Sequence, residues 1–176
     1  SLREYLDLVE MAANALAVLS GFPLAERRLL LEFPQRAALI GLPDLGETLP
    51  ALIGGLELEP ETLRNWMPAW ENAFQHAAQT SRDERIHTAR LEYYKQAILA
   101  LLDTPSPMAA LWPFLNTWSR AAETNAFDAS QQETWQTVQA KLRLDPQGLS
   151  LRLQGLDHFL DALEEKLDSL SAQYGL

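Results

Sequence analysis

The chain has no cysteine, and that one absence removes several chemistries at once. Disulfides, thiol nucleophiles and cysteine-held zinc are excluded, and a reducing compartment fits. There is no run of about 18 apolar residues, the length a membrane helix needs. The N-terminus has no basic stretch ahead of an apolar one, as a secretory signal would. Nowhere do apolar and polar residues alternate between hairpin turn signals, so no strand is expected. Phosphate-cradling glycine loops and the serine nucleophile elbow are missing too. The three histidines, His76, His87 and His158, are far apart in sequence and form no metal-binding pair one helical turn apart. The expectation is a soluble, cytoplasmic protein with neither metal nor cofactor.

What is present fits one folded domain, residues 1–176, with 47% hydrophobic and 22% charged residues. The net charge is −10, which argues against a nucleic-acid partner and leaves a protein partner or self-association. The charge is uneven: residues 1–60 and 146–176 are acidic, and the middle is close to neutral. The first residue is Ser1, as expected of a chain that lost its initiator or of an excerpt from a longer protein.

Apolar residues recur at helical spacing through most of the length. Leu2, Tyr5, Leu6, Val9, Ala12, Ala13, Leu16 and Leu19 share a face, which predicts a helix over 2–20 closed by Gly21. Prolines and glycines then divide 21–60 into short helical pieces near 24–32, 35–41 and 45–54, with Glu57 and Glu59 in an acidic turn before Pro60. Two helices are expected over 61–79 and 82–103, parted by a capping box of Ser81 and Glu84, with Pro68 kinking the first or shortening its start. Ser106-Pro107 opens a helix reaching Glu123 with a kink at Pro113, and Ser130 with Glu133 opens another reaching Arg143.

The most regular stretch is the last, from the Asp145-Pro146 start to Gly175. Leu149, Leu156, Leu163 and Leu170 take heptad position d, with Leu153, Leu160, Leu167 and Tyr174 at a. Leucine at both positions, with Phe159 widening the stripe, reads as the central stave of a bundle rather than a dimer zipper. That reading weakens if Leu151, on the far side, is exposed. The fold expected is therefore all-α: a multi-helix bundle of about five longer helices, largely antiparallel, over 60–176, with a Pro/Gly-broken N-terminal set over 1–59.

Two clusters of residues suggest function. Trp66 and Trp70 flank Pro68, and Trp112 and Trp118 flank Pro113; kinks of this kind leave room for large rings. Together with Tyr93 and Tyr94 they could pack the core or line an aromatic groove for a peptide or small ligand. Arg82, Arg85 and Arg90 could form a cationic strip.

Arg82-Asp83-Glu84-Arg85-Ile86-His87 resembles the Arg-polar-x-x-x-His motif of the HEPN family of small helical ribonucleases, with Ala89 where a common form of the motif has Tyr. The resemblance implies that Arg82, Asp83 and His87 of two protomers meet and cleave RNA without metal. Residues 89–122, ARLEYYKQAILALLDTPSPMAALWPFLNTWSRAA, resemble part of the helical region that follows the catalytic domain in some bacterial nucleotidyltransferase-like proteins; the likeness extends over residues 60–170. The catalytic motifs of that superfamily are absent, so it implies a non-catalytic accessory domain. An interaction or accessory domain is the first expectation, and a HEPN-type ribonuclease the alternative.

Overall fold

The computed structural model describes residues 1–56 and 58–174, with side chains through Gln173. Glu57, the side chain of Tyr174 and the expected helix stop at Gly175 lie outside the described residues. Among those described, every regular element is helical: α1 (Leu2–Ala17), α2 (Leu29–Leu39), α3 (Leu45–Leu52), α4 (Pro60–Ala77), α5 (Thr88–Leu102), α6 (Leu111–Glu123), α7 (Ala129–Leu142) and α8 (Pro146–Tyr174). Single 3-10 turns lead out of α1 and into α2 and α6.

The middle of the structure is α6. Leu111 through Ser119 are all buried, because this short helix meets α1, α4 and α5 on different sides. A helix covered on so many sides must find partners for its buried polar side chains, and Asn116, Thr117 and Ser119 all have them. The central stave is thus α6, and the expectation that α8 fills that role is corrected. Of the large apolar side chains described on α8, only Leu156, Phe159 and Leu163 are buried to core levels; Leu153, Leu160 and Leu167 remain 44%, 37% and 41% exposed, and Leu151 66%. The periodicity is real, but α1, α2 and α3, which pack along this helix, cover only one edge of the stripe.

The N-terminal helices are integral to the core rather than an attachment, since one continuous apolar cluster runs from Leu2 to Leu163. The predicted pieces at 24–32 and 35–41 are one helix, α2, running through Pro34. Its proline is matched by Gly46 of α3, where a Cβ would lie 3.1 Å from the ring, so proline and glycine together permit close helix packing. Pro68 likewise lies inside an uninterrupted α4. Pro113 is not a mid-helix proline: it falls in the first turn of α6, where a missing N–H costs nothing.

Helices α1 and α8 lie side by side and run in the same direction. At one end the Tyr5 hydroxyl donates to the carbonyls of Leu52 (2.9 Å) and Arg152 (3.4 Å). At the other, Arg36 donates to Ala17 O, and one turn earlier on α2 Phe33 packs on Phe159. The two acidic ends of the sequence therefore become neighbours.

Candidate functional site

The Arg82–His87 segment is not helical. Ser81 Oγ accepts from the Asp83 N–H and Asp83 Oδ1 from the Arg85 N–H, so side chains take over backbone groups a helix start would use. Ile86 is buried between them, and its burial anchors the loop. The expected Ser81/Glu84 capping box does not form; His87 caps α5 instead, its Nδ1 accepting from the Ala89 N–H (3.2 Å). Arg82 lines a shallow cleft with Asp83, Arg120 and Glu123, while His87 lies at the helix start outside that cleft. The fold does not bring Arg82 and His87 into one pocket. The cationic strip is also divided: Arg85 pairs with Glu26 (3.6 Å) and shares a second cleft with Arg90, Tyr93 and Tyr94.

The tryptophans build the core. Trp70, Trp112 and Trp118 are buried to 0–1% exposure, and Trp66 is half-buried. Trp66 and Trp70 both stack on Phe114 (6.2 Å between centroids), Phe114 meets Trp118 edge-on, and Trp118 stacks on Trp135. Trp70 Nε1 donates to Thr117 Oγ1 (2.9 Å). The aromatic groove is thus corrected to an aromatic column joining α4, α6 and α7, its space filled by its own rings. Tyr94 is buried in the same core against Phe74, and burial pushes its hydroxyl up. Tyr93 is 46% exposed and carries the Arg27 guanidinium over its face at 4.5 Å.

Beside this column lies a polar seam that sequence reading missed. The buried Arg3 donates to Asn116 Oδ1, Ser119 Oγ and Asp7; Asn116 Nδ2 donates to Glu26 (2.7 Å), and Arg120 reaches Asn116 and Asp83. These contacts fasten α1, the turn before α2 and the 81–87 loop to α6. The only signal was a charged residue, Arg3, on the inner edge of an amphipathic helix. Glu10 lies in the same seam without a hydrogen bond among the described residues. Its carboxyl is raised above the ordinary range by burial and then by Glu26, against the pull of Arg3, Arg85 and Arg120.

A carboxyl raised on folding binds its proton more tightly folded than unfolded, so its cost is full above the raised value and fades as pH falls. Glu10→Gln is therefore expected to raise the melting temperature at neutral pH. The gain should shrink with acidification and vanish in the ordinary carboxylate range. Thermal melts of both proteins across pH check this; a difference constant with pH would show that Glu10 does not titrate as described.

The surface left most incomplete is α8. Besides its exposed leucines, the neighbouring α1 leaves Leu8 47% and Met11 68% exposed. Comparison with protein-family models, with curated proteins and with solved structures gave no match for this chain. Among the described residues no three His, Asp or Glu side chains gather as metal ligands, and no helix is long and apolar enough to cross a membrane.

Proposed function

We propose that the chain is a helical interaction domain whose binding face is the outer stripe of α8. The observation that carries this reading is the exposure of Leu153, Leu160 and Leu167 at seven-residue spacing on one helix. Singly exposed leucines are ordinary on a surface; a register of three is the pattern by which helices pair. The likeness of residues 60–170 to helical accessory regions supports a non-catalytic role. Within its most similar part, 89–122, the apolar faces of α5 and α6 are turned into the core, so the contact falls to α8. A nucleotidyltransferase-like partner is one candidate within this proposal. The ribonuclease alternative has no specific support from the geometry of Arg82 and His87.

The test is binding of a labelled helical peptide of about three heptads with a leucine stripe and an uncharged polar face, read by fluorescence anisotropy. Covering three leucines that are each somewhat under half exposed is worth about 3 kcal/mol in all, or roughly a hundredfold in affinity. The triple variant Leu153→Ser, Leu160→Ser, Leu167→Ser is expected to lose about that much. Its melting temperature is expected to fall as well, since more than half of each side chain is covered in the fold, so circular dichroism is used to confirm that the variant is folded at the binding temperature. Peptide binding that survives the triple substitution would place the interaction elsewhere.

A further inference from the structure

We infer that the occupant of the α8 face is a basic amphipathic helix; this rests on the interaction reading above. Asp157, Asp161, Glu164 and Asp168 follow one another at spacings of four, three and four along α8. That spacing makes them one stripe, and Asp157 and Glu164 each stand one turn beyond an exposed leucine. The face is thus an apolar stripe with an acidic border. None of the four acids makes an ion pair or hydrogen bond with another described residue.

The protein's own cations do not serve this border. Arg152, on α8 itself, donates to the carbonyls of Ala51 and Leu142 on the inner side. Lys166 lies toward Gly41, at the end of α2. On other helices, Arg64 pairs with Asp103 and Lys95 with Glu71. Acids that border an apolar stripe without internal partners favour a ligand that brings cations to both groups at once.

Other occupants fit less well. A second copy docked antiparallel would set this acidic border against itself, a like-charge contact that costs affinity. Docked parallel, it would lay its acids over the edge of Leu156 and Leu163, which α8 already uses inside its own fold. Nucleic acid and anionic membranes are repelled by the same charges. A helix with leucines on one face and lysines or arginines along its edge satisfies both features.

The experiment uses the full chain and two synthetic peptides of about three heptads with identical leucine stripes, one bordered by lysine and one by glutamate. The lysine peptide is expected to bind at least about tenfold tighter at low salt, with the preference collapsing near 1 M salt as the charges are screened. The variant Asp157→Lys, Asp161→Lys, Glu164→Lys, Asp168→Lys should reverse the preference. If that variant does not fold, the corresponding Asn and Gln variant should abolish the preference while keeping leucine-dependent binding. Equal affinity for both peptides overturns the basic-helix inference and leaves the interaction reading standing. Failure of both peptides to bind, with self-association in sedimentation equilibrium, overturns it in favour of a second copy. Failure to bind either peptide without self-association overturns both readings.

Discussion

Trp70→Ala is expected to bring the chain close to unfolding at ambient temperature. The ring is fully buried, packs on Phe74 and Phe114, and donates to Thr117 Oγ1. Removing a buried tryptophan costs about 3–5 kcal/mol in lost transfer energy and unfilled cavity. Domains of this size are stable by only about 5–15 kcal/mol, so one substitution would consume a large fraction. The loss should spread across α4 and α6, because Phe114 is held between the two helices by Trp66 and Trp70. Thr117 keeps a partner in the Pro113 carbonyl (2.7 Å), so the penalty comes from volume more than from a stranded hydroxyl. Trp70→Phe should therefore cost much less, about 1–2 kcal/mol. Urea unfolding followed by circular dichroism measures both. Similar midpoints for the alanine and phenylalanine variants would mean that the column is not a packing element.

Why these rings are in the core could be read only in part from the sequence. Spacing placed Trp66 with Trp70 on one helix face and Trp112 with Trp118 near a second proline, but a single helix does not reveal what stands opposite. The structure supplies that through Phe114, which no local pattern singles out. Caps show the same limit. Ser130 with Glu133 satisfies the box pattern, yet Asp128 with Gln131 forms it, because Phe127 packs against the core just ahead and fixes where the chain enters α7. His87 was missed as a cap because histidine is not among the usual capping residues. The α8 stripe was fully visible; which edge of it is covered depends on α1, α2 and α3, more than 90 residues earlier in the chain. Helices were legible because periodicity is local, and the candidate face was not because burial is a property of neighbours.

Gly54→Ala is the second substitution with a large expected effect. Gly54 has φ +77°, a left-handed conformation that costs other residues about 1–2 kcal/mol. A Cβ there would also stand 2.3 Å from the carbonyl oxygen of Leu142 and 2.9 Å from its Cα. Both are backbone atoms, fixed at the end of α7, and cannot swing aside. The combined cost is expected to be about 3 kcal/mol or more, with the join between the end of α3 and the end of α7 forced open. Gly41→Ala provides the comparison. Its φ is +83°, but a Cβ would meet only the tip of the Lys166 side chain at 3.3 Å. That variant should lose only the conformational part, about 1–2 kcal/mol. Equal losses in denaturant midpoint at the two sites would show that the approach to Leu142 relaxes and that backbone strain alone matters.

The side-by-side placement of α1 and α8 has a consequence for how the chain acquires its fold. Tyr5 and Arg152 meet across 147 positions of sequence, so this contact closes a very long loop. During synthesis α1 emerges well before α8, so Leu2 and Tyr5 gain α8 as a neighbour only after the helices between them have been made. Long-range closure of this kind slows folding and leaves apolar surface open in the meantime. The α1–α8 contact should accordingly form late in refolding, after the local packing of α4, α5 and α6. A ribosome-bound nascent chain lacking α8 would hold α1 partly bare, within reach of any chaperone that recognises an amphipathic segment.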